Sequence, residues 1–200
     1  FTGRVVERKL YDKHLANEAA RAGAEISPQT KAVDLIKEGK VLRVKNVEGT
    51  HDIKTKTIIA ADGAYSLVTR KAGLPVSTDI NDYAVGYQYE MVKVENDPDY
   101  VEMYFGSDIA PGTYAWIIPK GGDVANVGTG VRTPYMRKGT NIREYQRNFV
   151  EKHPLSSKKL TKAKATAIKS GVIPVGGPIK KTSTENIITV GDAGGHTIPT

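Results

Sequence analysis

Apolar and polar positions follow two different rhythms along these 200 residues. Over residues 11–21 the rhythm is helical: Leu15, Ala19 and Ala22 recur on one face, and Gly23 stops the run. Residues 24–26 start a strand. Residues 30–36 and 41–46 flank Glu38-Gly39-Lys40, the pattern of a hairpin. Residues 57–61 are a short apolar run of the kind found in a buried parallel strand. Asp62-Gly63 breaks it, and residues 66–72 predict a short helix closed by Gly73 and Pro75. From residue 83 the period changes to two. Residues 83–94, 101–105, 114–119 and 124–131 alternate or run apolar with turns between them, which predicts a series of antiparallel strands. Residues 141–152 return to a helix with Ile142, Tyr145, Phe149 and Val150 on its apolar side. Residues 164–172 form a strand, Gly176-Gly177-Pro178 a turn, and residues 186–190 a buried strand running into Gly191-Asp192. The expected organisation is α/β over residues 1–82, an inserted antiparallel β unit over 83–182, and a return to the α/β unit over 183–200.

The charge is not spread evenly. Residues 151–182 hold eight lysines and a single acid, Glu151, so this stretch accounts for the whole net charge of +7. A local basic face attracts an anionic partner, here an anionic lipid surface or lipid phosphate; a merely solvated lysine face is the plain alternative. Arginine is absent from the stretch and no aromatic residue interleaves with its lysines, so nucleic acid is not expected as a partner. The absence of cysteine excludes disulfides, thiolate metal sites and cysteine nucleophiles from this chain. No apolar run is long enough for a membrane span. The chain opens on Phe1 and stops inside a glycine-rich stretch, from which we expect an internal piece of a longer protein.

Two segments carry candidate chemistry. In Ile58-Ile-Ala-Ala-Asp-Gly an apolar strand delivers Asp62 at its C-terminal end, the edge where open α/β sheets bind ligands. Gly63 lets a ligand approach the backbone, and Ser66 can cap the helix that follows. In Ile187-Ile-Thr-Val-Gly-Asp-Ala-Gly-Gly195 a second strand ends on Gly-Asp, where Asp192 can accept hydrogen bonds from hydroxyls and small residues leave room for a cofactor. Singly, each segment also reads as an ordinary turn. His196, in the same glycine-rich stretch, reads as an incidental loop residue.

Taken with Arg8, Tyr11-Asp12 and Leu15, the order of these segments resembles the FAD-dependent aromatic hydroxylase superfamily. Within it, Tyr114-Ala-Trp-Ile-Ile-Pro-Lys-Gly121 and Ser170-Gly-Val-Ile-Pro-Val-Gly-Gly177 are similar to the geranylgeranyl reductase family, including its archaeal members that act on digeranylgeranylglycerophospholipids. The resemblance covers nearly the whole chain. It implies part of an FAD-binding domain of the aromatic hydroxylase and glutathione reductase kind, with an inserted antiparallel substrate domain.

By that resemblance, Arg8 matches an arginine near the FAD, and Ala32 a strand position whose backbone meets the adenine. Asp62 and Gly63 match the motif near the pyrophosphate. Asp192 matches the aspartate that holds the ribityl chain, with Gly195 beside it. Tyr114 and Trp116 match aromatic positions that line an isoprenoid tunnel, and Pro199 and Thr200 the start of the loop over the flavin ring. The implied activity is hydrogenation of C=C bonds in geranylgeranyl chains of isoprenoid phospholipids by a cytoplasmic enzyme peripheral to the membrane. NAD(P)H or reduced ferredoxin would be the electron donor. An FAD-dependent monooxygenase or a flavin electron-transfer or quinone oxidoreductase of the same superfamily is the alternative, and a cofactor-free lysine-rich binding module is the rival from another class. The residues keep plainer readings too: Arg8 as a surface ion-pair residue, Ala32 as ordinary strand, Tyr114 and Trp116 as core packing, Tyr11 as core. The opening Gly-x-Gly-x-x-Gly is absent here, as is the cysteine some members carry near the flavin, so the proton donor and the reductant stay open.

Overall fold

The computed structural model describes residues 4–197. In chain order the elements are α1 (Arg8–Arg21), β1 (Lys31–Ile36), β2 (Val41–Asn46), β3 (Gly49–Lys54), β4 (Ile58–Ala60), α2 (Leu67–Lys71), β5 (Tyr83–Val92), β6 (Glu102–Tyr104), β7 (Ala115–Gly121), β8 (Val124–Arg132), α3 (Ile142–Glu151), α4 (Ser156–Leu160), β9 (Lys164–Pro174) and β10 (Ile187–Thr189). They form two compact units. One comprises residues 1–19 and 84–172, the other residues 20–83 and 173–200.

The unit of residues 20–83 and 173–200 holds two small sheets. β1, β2 and β3 form an antiparallel meander. Its first turn reverses through Lys37, Glu38 and Gly39, all at positive φ. Gly39 is needed there: its φ is +85°, and a side chain would press on Ile187 and Asn186. The Asn186 amide in turn donates to the Gly39 carbonyl at 2.7 Å, tying the hairpin to β10. β4 and β10 pair in parallel, Ile58 beside Ile187 and Ala60 beside Thr189. Ile58, Ala60, Val68 and Ile187 make the small core, with Ala32, Leu35 and Leu42 packed against it.

The unit of residues 1–19 and 84–172 is built on a five-stranded sheet in the order β6-β7-β8-β5-β9. Alternation puts Ala115, Ile117, Ala125 and Val127 on one face, where Phe149 of α3 and Leu160 of α4 close the core. α3 starts at Asn141, whose side chain accepts from the Arg143 N–H at 3.0 Å. It buries Tyr145 and Phe149 as its periodicity predicts, and also Gln146, whose amide donates to the Val127 carbonyl at 2.9 Å.

The hairpin, the strands from residue 83 onward and α3 form where the sequence pattern places them. Three expectations are corrected. Residues 24–26 form no strand. α1 begins three residues earlier than residue 11 and buries no side chain, so Tyr11 is not core; it is 47% exposed. β3 and α4 also form, and neither has the apolar rhythm that would announce it.

Candidate functional site

The parallel pair β4–β10 brings the two Asp-bearing segments to one sheet edge. The Val190 N–H donates to the Ala60 carbonyl at 3.0 Å, so both strands end together. Asp62 and Asp192 follow within three residues of those ends. Their carboxylates do different jobs.

Asp62 is committed to the chain itself. It accepts from the Ser66 hydroxyl, from the Leu67 N–H at 2.8 Å and from the Val68 N–H at 3.2 Å. Those are orphan donors of the first turn of α2. Ser66 is the cap: with its one proton given to Asp62, its oxygen accepts from the Thr69 N–H at 2.9 Å and from the Thr69 hydroxyl at 2.7 Å. Thr69 continues to Thr189 of β10 at 3.0 Å. Ser66, Thr69 and Thr189 are all buried, so this hydroxyl chain ties α2 to β10 through satisfied polar groups.

Asp192 is exposed. One carboxylate oxygen accepts from the Thr197 hydroxyl at 2.8 Å. Its loop, Gly191–Gly194, is a single 3-10 turn closed by Gly195 at a φ of +66°. A side chain on Gly195 would strike the Gly177 carbonyl, whereas Gly63 at φ +84° and Gly191 at φ +59° face open space. This edge therefore offers one outward carboxylate oxygen and bare backbone at two glycines. The hydroxyls and phosphates of a dinucleotide fit those donors and acceptors. The Asp62 carboxylate, also exposed, already accepts three hydrogen bonds from its own chain.

Sequence reasoning missed the neighbours of Asp192. Ser77, Asp82, Tyr83, Pro174 and Gly176 line a pocket with it of about 30 Å³, room for a water and not for a ring system. Asp82 accepts from the Ser77 hydroxyl, and its backbone carbonyl takes the N–H groups of Val175 at 2.7 Å and Gly176 at 3.1 Å. The Tyr83 hydroxyl donates to the Ser77 carbonyl at 2.8 Å, and burial pushes its acidity down, raising its pKa. Ala32 lies on β1 opposite Val44, its side chain against the small core, with a bulge before Asp34.

The remaining candidates sit in the unit of residues 1–19 and 84–172. Arg8 makes a two-pronged ion pair with Asp12 one turn on, at 2.9 and 3.0 Å, on an exposed helix face. Tyr114 and Trp116 lie on the sheet face opposite α3. Their rings meet edge to face at 5.8 Å, and Phe105 of the β6 side joins Tyr114 at 6.1 Å. Beyond them on the same face Lys120 bridges Glu90 and Glu7. Pro199 and Thr200 lie outside the described residues.

Comparison with known proteins gives this arrangement its relatives. Residues 82–172 match the geranylgeranyl reductase catalytic domain. The chain is 42% identical over 98% of its length to the digeranylgeranylglycerophospholipid reductase of Methanocaldococcus jannaschii, covering 50% of that protein. It superposes on a geranylgeranyl bacteriochlorophyll reductase-like protein from Thermoplasma acidophilum with a TM-score of 0.85 at 35% identity, over 97% of this chain and 50% of that one. A flavin-dependent brominase, Bmp2, shares the fold alone, with a TM-score of 0.75 at 18% identity over 94% of this chain and 49% of that one. The chain spans about half the length of the curated relatives it matches. Its mixed α/β architecture with antiparallel sheets is that of the flavin-dependent hydroxylases and halogenases. The strand-end motifs, the aromatic face and these identities agree: the chain is similar, over nearly its whole length, to about half the length of the geranylgeranyl reductases it matches.

Proposed function

We propose that this chain works within an FAD-dependent reductase that hydrogenates C=C bonds in the geranylgeranyl chains of isoprenoid glycerophospholipids. The observation that carries the reading is the 42% identity, across nearly the whole chain, to a protein named for that reduction. In this reading residues 1–82 and 183–200 belong to the FAD-binding domain and residues 83–182 to the substrate domain.

Bound FAD would supply the two electrons of the reduction. The chain's own residues hold and shelter. The outward oxygen of Asp192 accepts ribityl hydroxyls, and the backbone at Gly63, with Gly195 shaping the loop, admits the cofactor's edge. Asp62 serves by fixing the turn that presents Gly63. Ala32 offers backbone groups to the adenine, and Arg8 supplies positive charge near the cofactor. Tyr114 and Trp116 give the hydrocarbon an apolar surface. An isolated alkene is poorly polarised, so orientation and exclusion of water carry much of the rate. NAD(P)H or reduced ferredoxin replenishes the electrons. Exposed Lys152, Lys158, Lys162 and Lys164 meet anionic headgroups of a membrane to which the enzyme is peripheral from the cytoplasm. Among the described residues no helix is long and apolar enough to cross a membrane.

The test is turnover by the full protein without oxygen, with FAD, dithionite and a digeranylgeranyl glycerophospholipid. Mass spectrometry should show the lipid gaining hydrogens two at a time. A product that appears only with oxygen and carries an added oxygen atom would make the protein a monooxygenase instead.

A further inference from the structure

Trp116 is the only tryptophan among these residues, and its placement is more constrained than core packing requires. It stands on β7 between Met103 of β6 and Gly128 of β8, and Gly128 lies opposite Gln88 of β5. The indole lies down across β8. A Cβ at Gly128 would overlap its Cζ2 and Cε2 atoms, and its Nε1 donates to the Gln88 Oε1 at 3.2 Å, two strands away. A half-buried indole N–H needs such an acceptor, and a polar partner aimed at it fixes the ring in one orientation.

On the other side of Trp116 the apolar surface continues outward. Tyr114 meets the indole edge to face, and Phe105 packs on Tyr114. Phe105 is 71% exposed and Met103 is 44% exposed, at the edge strand of the sheet. The result is a shelf free of charge that starts at the β6 edge and stops at the Gln88 amide. The next charged groups on this face, Glu90, Lys120 and Glu7, are paired with one another. A shelf with an open outer end and a fixed inner end suits a long, flexible hydrocarbon chain.

We propose that Gln88, with Gly128, positions Trp116 as the inner stop of a hydrocarbon subsite whose outer end is Met103 and Phe105, so that this pair sets how far a chain advances. Gln88 is a positioning residue, acting through Trp116. The inference rests on the isoprenoid reductase reading for the identity of the chain.

The test uses the full protein in the oxidised state, so that nothing turns over, with any tryptophan outside these residues changed to Phe. Acrylamide quenching then reports Trp116 alone. Geranylgeranyl glycerophospholipid in detergent micelles should protect Trp116, and the Gln88→Met variant should expose it and weaken the lipid by about tenfold, the worth of one hydrogen bond. Gln88→Glu keeps an acceptor and should restore both signals. Phe105→Ala, at an exposed position that folding tolerates, should weaken a geranylgeranyl chain more than a geranyl chain. Wild-type quenching and lipid affinity in Gln88→Met, or equal losses for both chains in Phe105→Ala, would overturn the proposal. Lipid protection that depends on Gln88 in a protein that hydrogenates nothing would uphold the subsite and refute the reductase reading. Hydrogenation with unchanged chain preference in Gln88→Met would do the reverse.

Discussion

Lys120, on the five-stranded sheet, sits at the centre of an ion cluster that sets the charge of all its members. It bridges Glu7 and Glu90 with only 12% of its side chain exposed, and the two carboxylates hold its pKa above the usual lysine value. Lys120 in turn holds Glu90 and Glu7 below the ordinary carboxylate range. The signs fix a pH window. The carboxylates' share of stability is full above their unfolded pKa, 4.5, and is lost as pH falls through their lower folded values. The lysine's share is full below 10.5 and is lost as pH rises through its higher folded value. Lys120→Met should therefore cost roughly 1 kcal/mol at neutral pH through the Glu90 contact, discounted for solvent. Its melting temperature should also fall less than the wild type's on going from pH 5 to pH 3. A wild-type acid profile in the variant would refute the ion cluster. A second residue-level effect belongs to Ser66, which is 1% exposed and caps α2 while joining the Thr69–Thr189 chain. Ser66→Ala should lower stability by about 1–2 kcal/mol, read by thermal melting.

At the scale of elements, α3 against β8 closes the core of the five-stranded sheet. Phe149 is fully buried there, so Phe149→Ala should cost about 3–5 kcal/mol in chemical denaturation and weaken the whole sheet. This helix was legible because Tyr145 and Phe149 recur at helical spacing and Asn141 caps them. Gln146, equally buried, was not, since only the sheet's Val127 carbonyl explains it. β3 was illegible for a related reason. Gly49-Thr-His-Asp-Ile-Lys54 has no alternation, and the strand stands through its pairing with β2, aided by the Arg43–Asp52 ion pair at 2.8 Å. α1 misled in the opposite direction, showing a helical apolar rhythm although Leu15 is 49% exposed. The site divides the same way. The Asp-Gly strand ends were readable along the chain. The capping duty of Asp62 and the seat of Trp116 depend on which backbone N–H and which cross-strand neighbour lie within reach, and those follow only from the fold.

For the whole molecule, the net charge of +7 is carried by the stretch from residue 151 to 182. Within it Lys158 and Lys162 are exposed, whereas Lys159 is spent on Glu102 at 2.6 Å. Lys158→Glu with Lys162→Glu should weaken binding to phosphatidylglycerol vesicles, each lysine near the surface being worth about 1 kcal/mol. The difference should vanish as salt is raised. Vesicle affinity unchanged at low salt would remove the membrane from the account. The proposed function divides the labour: the β4–β10 strand ends would serve a cofactor, and the Trp116 face would serve a hydrocarbon. Its most direct measurement is the flavin content per chain of the full protein carrying Asp192→Ala, set beside Trp116→Leu, with lipid binding followed by cosedimentation in both. The account predicts that Asp192→Ala loses flavin and keeps lipid, while Trp116→Leu keeps flavin and loses lipid. Full flavin retention in Asp192→Ala, or flavin lost together with unaltered lipid binding in Trp116→Leu, would contradict it.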